Sequence, residues 1–264
     1  MITYNHENYI KEAILSVLDQ KVDCDFELVI SNDHSSDQTH FIIETIKNTH
    51  PKGNNITYYH QNKNLGMMPN FIFALNKCQG DYIALCEGDD FWTDSLKLQK
   101  QLAILEHNET FSYCGHAFKI LNSDGVYETK NVISGTINFE DIVERNALHT
   151  ATLMFRKTAI NKLPTFFKTV KAGDWILQFV AMQFGHAYVI DEVMSVYRKH
   201  DKGVWSQLDT KKMGAQGIDV LRQVKRLYKD KKTQKSIDSA IKKRKKEYGL
   251  PMGIFQRIKQ SLNL

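Results

Sequence analysis

Short strand-like segments alternate with helical segments over the first two-thirds of the chain, and this alternation limits the possible folds more than any other feature. Residues 26–31, 56–60 and 81–86 have the length and the β-branched or aromatic content of strands. Apolar residues recur at helical spacing in 7–20, 39–48 and 67–77, before and between these strands. Strand–helix–strand units of this kind predict an α/β fold in which a mainly parallel central sheet is flanked by helices.

The first residues have the pattern of a strand end. Met1-Ile2-Thr3 leads through Tyr4-Asn5 into a turn, followed at once by helical spacing. Since a strand usually needs about five to six residues, we expect the natural first strand to begin further upstream. The alternative is a short first strand that suffices.

Charge divides the chain of 264 residues, whose net charge is +5. Residues 211–264 hold 16 basic and 4 acidic side chains, a net charge of +12, whereas residues 1–210 hold 19 basic and 26 acidic ones, or −7. This change in charge predicts a domain followed by a basic, largely helical extension. The basic residues are not interleaved with aromatic ones, so we expect no nucleic-acid partner.

The cysteines and the apolar segments bear on the location of the protein. The four cysteines show no C-x-x-C spacing, which argues against a structural zinc site. No run approaches the roughly 18 apolar residues of a membrane-spanning helix. We therefore expect a cytoplasmic protein.

Acidic loops follow two of the predicted strands, at the edge where α/β sheets bind ligands. Residues 32–37 contain two aspartates, and Glu87, Asp89 and Asp90 lie within four positions around Gly88. Such carboxylates repel one another unless a cation lies among them, and Mg²⁺ or Mn²⁺ prefers oxygen ligands of this kind. A solvated acidic turn ahead of a helix near Asp94 is the alternative.

Other fingerprints are absent from the sequence. It has no G-x-G-x-x-G and no G-x-x-x-x-G-K-[ST], which argues against dinucleotide-dependent dehydrogenases and P-loop proteins. It also lacks the G-x-S-x-G of α/β-hydrolases.

Several motifs, in order, resemble family-2 glycosyltransferases of the GT-A fold, the inverting bacterial type that builds surface polysaccharides. The resemblance covers about residues 1–205, which we expect to form the domain, and leaves residues 206–264 as the basic, largely helical extension. The motifs that carry it are Thr3-Tyr4-Asn5, Tyr9-Ile10, Ser16-Val17-Leu18-Asp19-Gln20, residues 31–39, Asn64-Leu65-Gly66 with Asn70, Gly80-Asp81-Tyr82-Ile83 and Glu87-Gly88-Asp89-Asp90-Phe91-Trp92.

The resemblance implies a donor site built at the strand ends. Thr3, Tyr4 and Asn5 would line the nucleotide pocket, Asp33 would accept a hydrogen bond from the nucleobase, and Asp37 would support the Asp33 loop.

Glu87-Gly88-Asp89 stands where the family has its D-x-D motif. Asp89 would bind the Mn²⁺ or Mg²⁺ that holds the diphosphate, and Glu87 and Gly88 would face the ribose or the sugar. Glu87 stands where the family usually has an aspartate. Its side chain keeps the charge but is longer, so we expect its contact to differ from that of the aspartate.

The catalytic residue implied by the resemblance lies further along the chain. Asp174 opens an amphipathic helix over residues 172–184 and would be the general base; an ordinary helix N-cap is the alternative. Arg198 and His200 would reach the diphosphate or the metal, although a lone histidine is often structural. The segment 149–152 resembles the segment that lies near the acceptor pocket in this family.

The implied reaction is the transfer of a hexosyl group from a nucleoside-diphosphate sugar to a glycan or lipid-linked acceptor. A nucleotidyltransferase that makes sugar nucleotides is an alternative, although the Gly-rich basic loop after the first strand is missing. A non-catalytic module that binds nucleotide sugars is another. Trp92 and Trp205 fit either a core or a sugar-stacking role.

The basic extension allows three partners. Residues 217–246 have helical spacing and end in a block of basic residues, and residues 254–262 place apolar side chains among basic ones. This pattern fits an anionic membrane surface, such as the inner face of the cell membrane. A basic helix docked on the acidic domain and a homodimer contact are the alternatives.

Overall fold

The computed structural model describes residues 1–130, 132–201, 203 and 209–251. In this part of the chain the strands are β1 (Ile2–Thr3), β2 (Leu28–Asn32), β3 (Ile56–His60), β4 (Tyr82–Ala84), β5 (Phe91–Trp92), β6 (Phe111–Leu121), β7 (Tyr127–Lys130), β8 (Gly135–Ile137), β9 (Met154–Arg156) and β10 (His186–Arg198). The α-helices are α1 (Ile10–Leu18), α2 (Thr39–Thr49), α3 (Met67–Lys77), α4 (Lys97–His107), α5 (Phe139–Glu144), α6 (Lys157–Ile160), α7 (Gly173–Ala181), α8 (Thr210–Val224) and α9 (Lys231–Glu247).

The strands form two sheets. In the first, β1, β2 and β3 are parallel and β2 lies in the centre. In the second, the order is β4–β9–β6–β10–β5, with β7 paired to β6 and β8 to β10. There, only β6 and β10 run parallel among the described strands, and the other pairs are antiparallel. The expected α/β fold is confirmed, but the pairing is more mixed than expected. A short connection joins the antiparallel neighbours β6 and β7, and the other antiparallel pairs bring together strands that are far apart in the sequence.

Loops from both sheets meet at one edge. The Gly88 N–H, in the loop after β4, donates to the Ile2 carbonyl of β1 at 3.0 Å, and the Asp33 N–H after β2 donates to the Thr3 carbonyl at 2.9 Å. The acidic loops predicted from the sequence therefore converge on the carboxyl end of β1.

The predicted elements agree with the structure at several bounds. β3 and α3 occupy the predicted residues 56–60 and 67–77. α1 begins three residues later than predicted, because Tyr9 and Ile10 both donate to the His6 carbonyl in a turn. β1 has two residues, and the buried amino group of Met1 donates to the Val29 carbonyl at 2.7 Å.

The core has two parts. One lies between α1, α2 and the first sheet, where Ile10, Ile14 and Leu18 pack against Ile30 and Ile43. The other surrounds α7 and contains apolar residues from α8 and α9: Trp175, Leu177, Phe179, Val220, Leu221, Val224, Ile237 and Ala240. The two C-terminal helices therefore share a core with the helix that carries Asp174.

The helical segment expected over residues 217–246 divides into two helices, α8 and α9. The chain turns between them, and the Asp230 side chain caps α9 by accepting from the Thr233 N–H at 2.8 Å. Close packing depends on Gly214 of α8, where a Cβ atom would lie only 2.4 Å from the Tyr248 ring.

Charge complements this packing. Lys243 forms an ion pair with Glu144 of α5, and Lys232 approaches Glu140 at 4.0 Å. The Arg244 guanidinium lies over the Trp175 ring at 5.1 Å. Of the three alternatives for the extension, the helices that the structure describes are docked on the acidic domain.

Two expectations lie outside the described residues: the helix over residues 254–262 and the role of Trp205. The boundary at residue 205 remains a prediction. No helix of the described ranges combines the length and the apolar character needed to cross a membrane.

We expect Leu221→Ala to lower the free energy of unfolding by about 2–5 kcal/mol, because it leaves a cavity in the core shared with α7. Leu221 is fully buried. Met213→Ala, at an exposed position of the same helix, is the control and should stay within about 0.5 kcal/mol of the parent chain. Urea denaturation measures both. An equally small effect of Leu221→Ala would mean that α8 is not part of the cooperative unit.

Candidate active site

A pocket of about 640 Å³ lies where the carboxyl end of the first sheet meets the loop after β4 and the start of α7. Its wall contains most of the expected site residues: Thr3, Tyr4, Asp33, Glu87, Asp89, Asp174 and Arg198. Gly88 and His200 lie directly behind this wall, since they approach Thr3 and Asp89. The structure thus brings together side chains that are up to 195 positions apart in the sequence.

Asn5 and Asp37 connect two loops of the wall. Asn5 has a positive φ of 55°, and its Oδ1 accepts from the Ser36 N–H at 2.9 Å. The Asp37 carboxylate accepts from the backbone N–H groups of Glu7 and Thr39, both at 3.0 Å. These bonds hold the turn after β1 against the loop after β2.

Asp33 holds a third loop. Its two carboxylate oxygens accept from the backbone N–H groups of Leu65 and Gly66, at 2.7 and 2.9 Å. Asp33 is only 3% exposed, so this bidentate contact fixes the segment 64–66, which also lines the pocket. A contact between Asp33 and a nucleobase would have to use the lone pairs that remain on these oxygens.

Gly88 allows the acidic loop to approach β1. A Cβ atom at this position would lie 2.7 Å from both Cβ and Oγ1 of Thr3 and 3.0 Å from Nδ1 of His6. Only a glycine fits at such distances, and it brings Glu87 and Asp89 to the end of the strand.

Asp89 is surrounded by imidazoles. Its Oδ2 lies 3.0 Å from Nε2 of His200 and 3.8 Å from Nε2 of His6. Burial raises the pKa of Asp89, but the hydrogen bond with His200 and the nearby His6 outweigh burial and hold the pKa below its ordinary value. The His200 ring packs on Tyr9, with centroids 4.8 Å apart, which fixes its orientation.

Asp90, His149 and Glu87 form a second group, whose potential ligand atoms all lie within 4.8 Å of one another. Asp90 Oδ1 accepts from the Arg198 N–H at 2.9 Å, whereas the buried Oδ2 has no hydrogen-bond partner among the described residues and lies 3.4 Å from His149 Nδ1. The sequence analysis counted Asp90 among the carboxylates of the acidic loop but did not predict that it faces His149, because this contact depends on packing between distant segments.

Burial and like charge dominate the titration of this second group. Burial, with Asp89 and Asp174 nearby, raises the pKa of Glu87 to about 8. Burial also raises the pKa of Asp90 well above its ordinary value and lowers that of His149 to about 4. Without a cation, these groups favour their neutral forms.

Arg198 already has partners. Its Nη2 donates to Glu12 at 2.6 Å and its Nε to the Asp89 carbonyl at 3.0 Å. The guanidinium lies 5.0 Å from the ring centroids of Tyr9 and Phe91. It is thus held rigidly at the pocket wall beside Asp89.

Asp174 lies in the first turn of α7, whose N-cap is Ala172. It is therefore not the N-cap, and its Oδ2 instead accepts from Asn146 Nδ2 at 2.8 Å. Burial raises the pKa of Asp174, and the hydrogen bond from Asn146 opposes this shift. Sequence reasoning missed Asn146, since no spacing relates it to Asp174.

Trp92 belongs to the core. Its indole N–H donates to the Ala151 carbonyl at 3.0 Å, and the Lys97 ammonium lies 4.0 Å from its ring centroid. With 6% of its surface exposed, Trp92 offers no platform for a sugar.

Proteins of related sequence align with most of this chain. A Mycobacterium tuberculosis protein is 30% identical over 208 residues, which cover 77% of this chain and 59% of that protein. The putative teichuronic acid biosynthesis glycosyltransferase TuaG of Bacillus subtilis is 26% identical over 92% of this chain and 94% of its own length. The glucosyltransferase WfgD of Escherichia coli, named for the acceptor α-D-GlcNAc-diphosphoundecaprenol, is 28% identical over 67% of this chain and 66% of its own.

Solved structures share the fold. Staphylococcus aureus TarS, residues 1–349 in complex with UDP-GlcNAc, superposes with a TM-score of 0.70 at 19% identity over 94% of this chain and 71% of that one. The mannosyltransferase PcManGT of Pyrobaculum calidifontis, with GDP-Man and Mn²⁺, gives 0.66 at 19% identity over 90% and 66%. These likenesses support the GT-A fold expected from the sequence.

The sequence model of the family described as glycosyl transferase family 2 matches residues 1–164. This match covers β1 to β9, together with the loops that carry Asp33, Glu87, Asp89 and His149. The chain therefore belongs to glycosyl transferase family 2.

Proposed function

We propose that this chain is an inverting, metal-dependent glycosyltransferase. It transfers a sugar from a nucleoside-diphosphate donor to a hydroxyl group of a glycan or lipid-linked acceptor in surface polysaccharide synthesis. The observation that carries the proposal is the convergence of Glu87, Asp89 and Asp174 on one pocket of about 640 Å³, a volume typical of small-ligand sites. The names of TuaG and WfgD and the UDP-GlcNAc bound to TarS support it.

The donor side of the pocket is the edge of the first sheet. Thr3, Tyr4 and Asp33 face the cavity there, and we assign the nucleotide to this wall. Asn5 and Asp37 support the wall through the hydrogen bonds between its loops. Gly88 gives the acidic loop its close approach to this wall, and Arg198 lies beside Asp89.

Asp174 is the general base of the proposed reaction. The acceptor oxygen attacks the anomeric carbon, the bond from this carbon to the nucleoside diphosphate breaks, and Asp174 takes the hydroxyl proton. Attack opposite to the leaving group inverts the anomeric configuration. The raised pKa of Asp174 brings it closer to neutral pH, which favours a base that must take up a proton.

The chain offers a set of metal-ligating side chains that fits a divalent cation. Carboxylate oxygens suit Mn²⁺ or Mg²⁺, and the buried Oδ2 of Asp90 has no hydrogen-bond partner among the described residues. We assign the cation to Asp89 and His200; the group of Glu87, Asp90 and His149 is the alternative. The cation would offset the charge on the leaving diphosphate.

Asp174→Asn tests the base. We expect donor binding to change little and sugar transfer to fall about 10²–10⁴-fold, since general-base assistance is worth that much. The assay combines Mn²⁺, a panel of nucleotide sugars and glycosyl-diphosphate lipid analogues, and it measures nucleoside diphosphate and glycosylated product.

Full transfer by Asp174→Asn would reject this residue as the base. Pyrophosphate release from a nucleoside triphosphate and a sugar 1-phosphate would indicate a nucleotidyltransferase. Donor binding without turnover for any acceptor of the panel would support the non-catalytic alternative.

His200→Gln and Asp89→Asn test the metal assignment. Both should weaken Mn²⁺-dependent donor binding more than about 10-fold, because even indirect partners of a metal site have effects of this size. His149→Gln is the matched control and should retain Mn²⁺ affinity. Calorimetric titration of donor with and without Mn²⁺ measures the effect. The reverse pattern would move the cation to the group of Glu87, Asp90 and His149.

We also propose that the extension attracts the protein to the anionic inner face of the cell membrane. The apolar side of α9 is buried through Ile237 and Ala240. On the opposite side of the helix, Lys235, Lys242 and Lys246 are exposed and have no ion-pair partner among the described residues. Lysines at an anionic bilayer contribute about 1 kcal/mol each.

Changing Lys235, Lys242 and Lys246 together to Glu should lower partitioning onto phosphatidylglycerol vesicles more than 10-fold by this measure. The control carries the same charge change at exposed positions elsewhere, Lys11, Lys162 and Lys168. Sedimentation with vesicles, at low and high salt, measures the bound fraction. Equal losses in both variants would mean that binding depends on net charge and not on the lysines of α9. No loss in either variant would reject the proposed attraction to the membrane.

A further inference from the structure

A line of hydrogen bonds runs from Asp174 into the interior of the protein. Asn146 Nδ2 donates to Asp174 Oδ2 at 2.8 Å, and Gln178 Nε2 donates to Asn146 Oδ1 at 3.0 Å. The Tyr113 hydroxyl in turn lies 3.4 Å from Gln178 Oε1. Gln178 and Tyr113 are both fully buried, whereas Asn146 is exposed at the pocket wall.

The direction of these bonds follows from one backbone atom. Gln178 Nε2 also lies 3.3 Å from the carbonyl oxygen of Asp174, and a carbonyl only accepts hydrogen bonds. The amide atom of Gln178 at this position must therefore be the nitrogen. That nitrogen requires an acceptor on Asn146, so the amide oxygen of Asn146 faces Gln178 and its N–H₂ group faces the Asp174 carboxylate.

Gln178 supplies a constraint that Asn146 lacks by itself. An exposed asparagine can present either its oxygen or its nitrogen to a neighbour. Gln178 lies four residues after Asp174, on the same face of α7, and its burial leaves its amide no water to bond with. The helix that carries Asp174 thus also carries the side chain that orients Asn146.

We propose that Asn146, oriented by Gln178, is a positioning residue that holds the carboxylate of Asp174 in one orientation toward the acceptor hydroxyl. This proposal rests on the proposed role of Asp174 as the general base. A donor at Oδ2 fixes the plane of the carboxylate and stabilises its ionised form. The other charged or titratable groups on this pocket wall are Tyr4, His6, Asp33, Glu87, Asp89, His149, Lys171, Tyr197 and Arg198.

Asn146→Ala removes the side-chain amide that donates the hydrogen bond to Asp174, and Asn146→Asp replaces this amide with a carboxylate of the same shape. Both should lower kcat roughly 10-fold to 100-fold, as expected for the loss of a hydrogen bond to a charged group, while the KM for the donor stays unchanged. Loss of the bond raises the pKa of Asp174. Because activity falls as the base becomes protonated, the acid limb of the pH profile of kcat/KM should move to higher pH, and further for Asn146→Asp than for Asn146→Ala.

Gln178→Glu tests the orientation without touching Asn146. The new carboxylate has no N–H for Asn146 Oδ1, so the Asn146 amide turns and kcat falls. Gln183→Glu, the same change at an exposed position just after α7, is the matched control and should keep the parent kcat and pH profile. Thermal unfolding identifies any variant that fails to fold, and the Asn146 variants test the proposal independently of Gln178.

Two outcomes would overturn the inference while the base stands: an unchanged kcat and pH profile in both Asn146 variants, or a change in the KM for the donor alone. In either case Asp174→Asn would still lower transfer about 10²–10⁴-fold. Retained transfer in Asp174→Asn would instead remove the base and, with it, the role of Asn146.

Discussion

One backbone hydrogen bond, from the Gly88 N–H to the Ile2 carbonyl, joins the parallel sheet to the loop after β4. It forms where the two segments are too close for any side chain at position 88. Because this contact places the loop against the end of β1, Glu87 and Asp89 share a pocket with Thr3 and with the start of α7. The remaining features of the site determine how that crowded negative charge is compensated.

The crowding is resolved in two different ways. Asp89 gains two imidazoles and keeps a lowered pKa, so it stays ionised. Glu87 and Asp90 lack such partners, and burial raises their pKa values. Neighbouring carboxylates of one short loop are thereby divided into an ionised group and groups that favour the neutral form. A cation near this loop would lower the pKa of Glu87 and Asp90, because positive charge stabilises the ionised forms.

The local part of the fold could be predicted from the sequence. Strand length and helical spacing predicted β3 and α3 to the residue, since these elements are encoded by contiguous patterns. The strand-end rule predicted that the acidic loops would converge, because the topology of parallel strands brings such loops to one edge. The GT-A fold followed from motifs that lie within the first half of the chain.

Long-range geometry was not predictable in the same way. No pattern relates Asn146 to Asp174, or His149 to Asp90, because each contact depends on how distant segments pack. The antiparallel pairings of β8 and β9 join strands that are far apart in the sequence, and only β7 pairs with a strand that a short connection joins to it. The turn between α8 and α9 depends on a cap at Asp230 that the regular spacing of apolar residues conceals.

The contact between Arg244 and Trp175 has a consequence for the minimum length of a folded chain. Trp175 follows Asp174 directly, and its ring lies beneath the Arg244 guanidinium, next to the apolar residues of α8 and α9. A fragment cut at the change in charge would expose the back of α7 to water and lose part of the apolar support of that helix. The smallest unit able to keep the carboxylate of Asp174 in place thus includes helices that composition alone assigned to an appendage.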